Sequence, residues 1–207
     1  MKYFLILFLA AFLSCHKKET PQATVAIQPY EGFSAAKTRL VAETIDSFYQ
    51  VKTVILPARK LYREAFVAVK TPRYRADSII RIQKRSLPEN IDFIIGLADK
   101  DISTTKMEGG KMMQPASRYK DWGVMGLGFC PGRSSVVSTF RLRHKNEGRH
   151  LERLKKVAVH EFGHNLGLPH CKNKKCVMAD AVESIATIDK ERLWLCSSCS
   201  NKIRSLD

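Results

Sequence analysis

The side chains best suited to chemistry lie in residues 160–170, which read HEFGHNLGLPH. His160 and His164 are four residues apart, so on a helix their imidazole rings project from the same face, one turn apart. His170 follows six residues later and joins the pair only if the chain turns back. Three neutral imidazoles in this arrangement are the ligand set of a catalytic zinc ion that keeps a fourth position for water.

The residues after His164 supply the required turn. Gly167 readily adopts the left-handed conformation that ends a helix, and Pro169 prevents the helix from resuming. Glu161 is next to His160 but off the ligand face, so its carboxylate can hydrogen-bond the water without occupying the metal. We therefore expect Glu161 to act as general base for a zinc-activated water that attacks a peptide carbonyl.

Four cysteines follow the histidines in two close pairs, Cys171 with Cys176 and Cys196 with Cys199. Pairs that converge from separate segments suit a tetrahedral four-thiolate zinc site, which would fix the tail of the chain onto the turn that carries the third histidine. Two disulfides are the alternative, and an exported protein makes that alternative serious. The residues alone leave both interpretations open.

The whole stretch resembles a known family. HEFGHNLGLPHCKNKKCVM, followed by seventeen residues and then CSSC, is similar to the signature of the archaemetzincins, zinc metallopeptidases of the metzincin clan. Every fixed position and every gap of that signature matches. Weaker likeness, in the segments IIGLADKDI and GRSSVVSTFRL, extends the resemblance over roughly residues 51 to 200.

The resemblance implies a metzincin-like α/β catalytic domain with a small mixed sheet, an active-site helix, a Met-turn and a C-terminal helical part held by the cysteine site. It implies a hydrolase, either an endopeptidase or an aminopeptidase-like enzyme, that acts on peptides or proteins; we expect a monomer. The implied roles are catalytic zinc ligands His160, His164 and His170, general base Glu161, structural zinc ligands Cys171, Cys176, Cys196 and Cys199, and Met-turn residue Met178.

One departure from the metzincin pattern concerns the transition state. Several metzincins use a tyrosine after the Met-turn to help stabilise the oxyanion, yet this chain has no tyrosine beyond Tyr119. The stabilising donor is therefore not identified by the sequence. This departure keeps a second hypothesis open, a zinc-stabilised lipoprotein that binds peptides or proteins with negligible turnover.

The N-terminus predicts export. Residues 1–14 carry one lysine and an unbroken apolar run, too short for a typical membrane span, and are predicted to be a signal peptide. The Ser-Cys that follows resembles a lipobox, so Cys15 is expected to be lipidated, with conventional cleavage or an uncleaved anchor as alternatives. Residues 15–31 are predicted to be a lipid-anchored tether and residues 32–207 the peptidase domain, in the bacterial cell envelope.

The formal net charge of +15 is compatible with nucleic acid, anionic lipid headgroups or acidic substrates. With an export signal present, nucleic acid is not an expected partner, and a charged envelope surface is the expected neighbour.

Alternating helical and extended patterns must position these groups. Helical spacing over residues 36–48 is followed by a β-rich run at 51–56; a helix capped by Asp77 is followed by an apolar run at 91–97. This alternation favours an α/β core with buried strands.

In the second half of the sequence, a loop and two strands are predicted before the helix that carries the histidines. Residues 102–121 are expected to be an irregular loop, and 124–129 and 135–142 to be two strands. The part around residues 136–140 is a candidate for the strand that borders the cleft and pairs with a peptide. The basic stretch that leads into the helix, residues 141–156, is expected to be a solvated face.

Overall fold

The computed structural model describes residues 22–180 and 184–204. Six α-helices are found in this part of the chain, together with a single 3-10 turn at Arg63–Ala65. The helices are α1 (Ala35–Tyr49), α2 (Ala76–Arg85), α3 (Ala116–Tyr119), α4 (Glu147–Asn165), α5 (Ile185–Lys190) and α6 (Ser197–Arg204).

Eleven strands are found in the same residues, several of them only two or three residues long. They are β1 (Thr24–Pro29), β2 (Lys52–Ile55), β3 (Phe66–Val67), β4 (Arg73–Arg75), β5 (Phe93–Ala98), β6 (Ile102–Thr104), β7 (Met107–Glu108), β8 (Lys111–Met112), β9 (Trp122–Val124), β10 (Gly126–Gly128) and β11 (Ser134–Ser138).

The main sheet has five strands in the order β10-β11-β5-β1-β2. Four neighbouring strands of this sheet run parallel to one another: β11, β5, β1 and β2. The remaining strand, β10, lies at one edge and pairs antiparallel with β11. Apolar side chains of alternate residues fill both faces: one face packs on α1 and α4, and the other packs on α2. The predicted α/β class with a small mixed sheet is confirmed.

The predicted tether was wrong in its second half. Residues 24–29 form β1, which lies between β2 and β5 with Val25, Ala26 and Ile27 fully buried. The run shows no long periodicity because a parallel strand that is buried on both faces does not alternate between apolar and polar residues. The folded domain therefore begins at least eight residues before Gly32.

Two further local predictions were wrong. The expected loop at residues 102–121 contains strand β6, the hairpin of β7 with β8, and α3. The second sheet, in the order β3-β4-β6-β9, uses β6 from this region. Asp77 does not cap α2, because the N-cap is Arg75; the Asp77 carboxylate pairs instead with the Arg75 and Arg81 guanidiniums.

Helix α4 matches the motif prediction in both position and termination. Asn146 caps its N-terminus by accepting a hydrogen bond from the Arg149 N–H at 2.9 Å. Its C-terminus is followed by Gly167 in the left-handed region, at φ +83°. The solvated face expected at residues 141–156 is only partly found, since three of its basic side chains are buried: His150, Arg153 and Lys156.

The predicted signal peptide at residues 1–14 and the predicted lipidation site Cys15 lie outside the described residues. Within residues 22–180 and 184–204, none of the helices has both the length and the apolar composition needed to cross a membrane.

Candidate functional site

Helix α4 and the turn after it bring the three predicted histidines together. The ring centroids of His160, His164 and His170 lie 4.6 to 5.3 Å apart. One ring nitrogen from each lies within 4.8 Å of the others, close enough for one cation to be bound after small ring rotations. The reversal at Gly167 is what returns His170 to the face of α4 that carries the other two.

Hydrogen bonds fix the tautomers of two of these rings. The His160 Nδ1 lies 2.8 Å from the Val177 carbonyl oxygen, and the His164 Nδ1 lies 2.7 Å from the Leu168 carbonyl oxygen. A carbonyl only accepts, so each Nδ1 carries the proton and donates it. The lone pair of each neutral ring is then on Nε2, ready for a metal ion.

The electrostatics of the site also favour neutral rings. Burial lowers the pKa of His160 to about 3, with a further lowering by the neighbouring His164. Burial likewise lowers the pKa of His164. Both imidazoles are therefore neutral at pH 7, which is the form that binds zinc, so the donor set fits that ion.

Glu161 lies in the same cleft as the three histidines. Its side chain is held against strand β10, where the Gly128 N–H donates a hydrogen bond to the carboxylate. Burial raises the pKa of Glu161 to about 8, and this hydrogen bond opposes the rise. Burial thus makes the Glu161 carboxylate a stronger base than an exposed glutamate, which suits a group that accepts a proton and later returns it.

Two glycines of β10 make room for Glu161. A Cβ at Gly126 would lie 2.6 Å from the Glu161 Cγ, and a Cβ at Gly128 would lie 2.5 Å from the Glu161 carbonyl oxygen. Both distances are shorter than van der Waals contact. The strand approaches α4 this closely only because these positions have no side chain.

Gly126→Ala is expected to lower kcat of peptide cleavage by roughly 10–100-fold, because a displacement of about 1 Å can cost that much in rate. The new methyl group would push the Glu161 carboxylate aside, and the fold should remain intact since a side chain can yield. Steady-state kinetics beside circular dichroism would check this. Gly148→Ala, in the first turn of α4, should keep wild-type kcat; equal rates for both variants would contradict the assignment.

Met178, the residue that the resemblance places in the Met-turn, packs against α4 at Gly163, next to His164 in the chain. It is fully buried, and a Cβ at Gly163 would lie 2.5 Å from its Sδ atom. The same Cβ would lie 2.9 Å from the Tyr49 hydroxyl, which donates a 2.8 Å hydrogen bond to the Val159 carbonyl. Met178 and Tyr49 therefore set how closely α4 approaches the Met-turn and α1.

Gly163→Ala is expected to destabilise the fold by about 2 kcal/mol through overpacking against Met178 and Tyr49. For a domain of this size that is a fall in Tm of roughly 4–8 °C, measurable by thermal denaturation. The Gly163→Ala/Met178→Ala double variant should lose less stability than the sum of the two single variants. The reason is that truncation of Met178 leaves a cavity in which the new methyl group at position 163 fits. Strict additivity would contradict the contact.

The four cysteines form a second cluster. Their sulfur atoms lie within 4.8 Å of one another, and all four are free thiols, with 3.6 Å between the Cys171 and Cys196 sulfurs. Backbone N–H groups donate to two sulfurs: Asn173 to Cys171 and Cys196 to Cys176, each at 3.4 Å. Such bonds stabilise thiolates, so the donor set fits a four-thiolate zinc site.

The segment at residues 176–179 links the two clusters. The Val177 carbonyl orients His160, and the Cys171 N–H donates to the Met178 carbonyl at 2.7 Å. Cys176 at the start of the segment belongs to the cysteine set, and Cys171 directly follows His170. Order in the cysteine cluster is therefore transmitted to ligands of the histidine cluster.

The histidines and Glu161 line a cleft of about 720 Å³. Strand β10 forms one rim of it, and in the described part of the chain β10 pairs only with β11. The prediction that residues around 136–140 form the strand at this rim is wrong, because β11 is an inner strand with all five residues buried. The cleft-side edge is residues 126–128, which lie within the stretch 124–129 that the sequence predicts as a strand.

Comparison with known proteins now decides the family. The family described as peptidase family M54 matches residues 41–205. The chain belongs to this family. Within it, the archaemetzincin of Archaeoglobus fulgidus is 29% identical over 180 residues, or 87% of this chain and 98% of that protein. The archaemetzincin of Methanopyrus kandleri is 37% identical over 120 residues, or 58% of this chain and 60% of that protein.

Solved archaemetzincin structures have a fold similar to that of this chain. The crystal structure of the Archaeoglobus fulgidus protein, complexed with malonate, covers 86% of this chain and 99% of its own, at a TM-score of 0.69 and 28% identity. The Methanopyrus kandleri structure covers 89% of this chain and 95% of its own, at a TM-score of 0.73 and 24% identity, and it supports the fold. As a member of peptidase family M54, this chain is a zinc metallopeptidase, a hydrolase of peptide bonds.

Sequence reasoning missed three positioning residues of this M54 site. Gly126 and Gly128 were hidden inside a strand prediction, although two glycines within one strand indicate a close backbone approach. Asn165 was not singled out; its side-chain amide donates to the carbonyls of Phe129 and Ser134 at 3.1 and 3.0 Å. Asn165 thereby fixes the end of α4 to the loop between β10 and β11.

Proposed function

We propose that the chain hydrolyses peptide bonds at the three-histidine centre, with Glu161 as the general base. The observation that carries the proposal is the convergence of three imidazoles with a buried carboxylate in one cleft. Zinc held by His160, His164 and His170 would supply Lewis-acid chemistry, lowering the pKa of water and polarising the scissile carbonyl.

The chain's own residues then handle the proton. Glu161 accepts it from the attacking water, and the Gly128 N–H keeps the carboxylate aimed into the cleft. Glu161 returns the same proton to the leaving amine, so no net charge is left on the enzyme. Val177 and Leu168 hold the ligand rings in one tautomer throughout.

The side of β10 that faces away from β11 is the proposed docking edge for substrate. A strand edge presents backbone N–H and C=O groups that an extended peptide can satisfy by adding one more strand. Residues 126–128 lie directly over Glu161, as the close approach of both glycines shows. A peptide paired there would pass its backbone across the histidines.

Zinc-loaded protein without residues 1–15, incubated with a mixture of unstructured peptides, tests the proposal. Mass spectrometry should reveal new termini from wild type, and His164→Ala should produce none because the ligand set is incomplete. Tight peptide binding without any cleavage by zinc-loaded wild type would favour the alternative of a binding protein. Cleavage that persists in His164→Ala would refute the site.

We further propose that the four-cysteine cluster holds a second, structural zinc ion. Support comes from four free thiols gathered from two segments, with N–H donors on two sulfurs. Metal analysis of the purified protein should give two zincs per chain. One zinc, with fewer alkylatable thiols, would indicate disulfides instead.

The location is proposed from the N-terminal pattern: export directed by residues 1–14 and attachment to an envelope membrane through lipidated Cys15. The full-length protein should fractionate with membranes, and Cys15→Ser should release it. A membrane-bound Cys15→Ser variant would point to an uncleaved anchor.

A further inference from the structure

Beyond the histidines, the cleft contains a pocket whose use the proposed mechanism does not explain. Beside His160 it is lined by the apolar side chains of Met125, Val157 and Ile188. These three pack in one hydrophobic cluster. Glu191 lines the same cleft, and its carboxyl group is not needed for binding an apolar ligand.

One oxygen of the buried Glu191 carboxylate has no hydrogen-bond donor among the described residues. The residue is only 4% exposed, and its Oε2 atom has no hydrogen-bond partner among the described residues. Its backbone is fixed, since the Glu191 N–H donates to the Thr187 carbonyl at the end of α5. Burial raises the pKa of Glu191 to about 8, an effect opposed by nearby Lys156. A buried carboxylate oxygen without a donor is costly, and a cationic ligand in the cleft would supply that donor.

Neighbouring cations are already engaged. The Lys156 ammonium donates to the Ile188 carbonyl at 2.9 Å. The Arg153 guanidinium makes two 2.7 Å hydrogen bonds to the Asp189 carboxylate. Neither Lys156 nor Arg153 lines the cleft, whereas Glu191 does. Lys106 also lines the cleft, with its ammonium over the Trp122 ring. The Glu191 carboxyl is thus the group that this part of the cleft offers to a cation, and a bound cation would hold it in the ionised form.

We propose that this pocket binds a lysine or arginine side chain of the substrate, next to the bond that is cleaved. The methylene groups would lie against Met125, Val157 and Ile188, and the cationic head would donate to Glu191. The inference rests on the proposed function, because it assigns a substrate class to the same cleft. It makes Glu191 a specificity-determining residue.

A peptide series that differs at one position tests the substrate side without altering the enzyme. The position next to a mapped cleavage site would carry lysine, arginine, norleucine, acetyllysine or glutamate. We expect kcat/KM at least about tenfold higher for lysine and arginine than for norleucine and acetyllysine, because only the cations satisfy the buried carboxylate. Equal values for lysine and norleucine would overturn the proposal and leave the peptidase assignment standing.

The enzyme side uses Glu191→Gln, with Glu89→Gln as a matched control at an exposed glutamate. Glu191→Gln should reduce the ratio of kcat/KM for the lysine peptide to that for the norleucine peptide to within about twofold. Glu89→Gln should keep the preference. A preference retained in Glu191→Gln would contradict the role of that carboxylate.

Binding separates this inference from the catalytic one. Fluorescence anisotropy of labelled lysine and norleucine peptides on zinc-loaded wild type reports the pocket even if turnover is absent. A lysine preference in binding with no cleavage would support the pocket and contradict the peptidase mechanism. Equal binding with no cleavage would contradict both.

Discussion

Glu161→Gln is expected to lower kcat for peptide hydrolysis by about 10²–10⁴-fold, the range over which a positioned base contributes. Glutamine keeps the size of the side chain and can still contact the Gly128 N–H through its amide oxygen. It cannot accept the proton of the attacking water. Since Glu161 is not a ligand, zinc content and KM should change little, and the loss should be seen mainly in kcat.

The matched control is Glu152→Gln, on the exposed side of the same helix. It removes one carboxylate from α4 and should retain full activity. Zinc analysis of both variants excludes loss of metal as the cause. Wild-type kcat in zinc-loaded Glu161→Gln would contradict the assigned base, and activity lost together with zinc would show a structural rather than a chemical role.

The histidine site could be predicted from sequence because its geometry is local. Spacing along one helix places His160 and His164, and the conformational preference of Gly167 decides where that helix ends. The family signature then supplied Met178, which residue type alone would have left as an ordinary core methionine.

Features that depend on contacts distant in sequence were missed. Strand β1 is defined by its pairing with β2 and β5, and the sequence of residues 24–29 does not indicate that two other strands flank it. Both β10 and β11 were predicted as strands, but the cleft-side edge was assigned to β11, because the order of strands in a sheet is set by contacts that the sequence pattern does not contain. Glu191 was not considered, since its burial in the lining of the cleft depends on the tertiary fold.

Cys176→Ser is expected to release the zinc ion that we propose for the cysteine cluster and to destabilise the whole domain. Cys176 is fully buried, and its backbone begins the segment that carries the Val177 carbonyl and Met178. Structural zinc contributes roughly 10–16 kcal/mol of binding free energy in small zinc domains, comparable to the ~5–15 kcal/mol that stabilises a domain. Loss of even ~4 kcal/mol would lower Tm by on the order of 10 °C.

Cys130→Ser is the matched control for that change, because Cys130 is an exposed free thiol outside the cluster. It should retain two zincs per chain and the wild-type Tm, whereas Cys176→Ser should retain at most one zinc and lose peptidase activity as the Val177 segment loosens. Treatment with a phosphine reductant, which has no thiol groups to compete for zinc, distinguishes the alternative: a zinc site keeps its Tm, while two disulfides would be reduced and Tm would fall. A Cys176→Ser protein with two zincs and unchanged Tm would show that the four thiols do not act as one site.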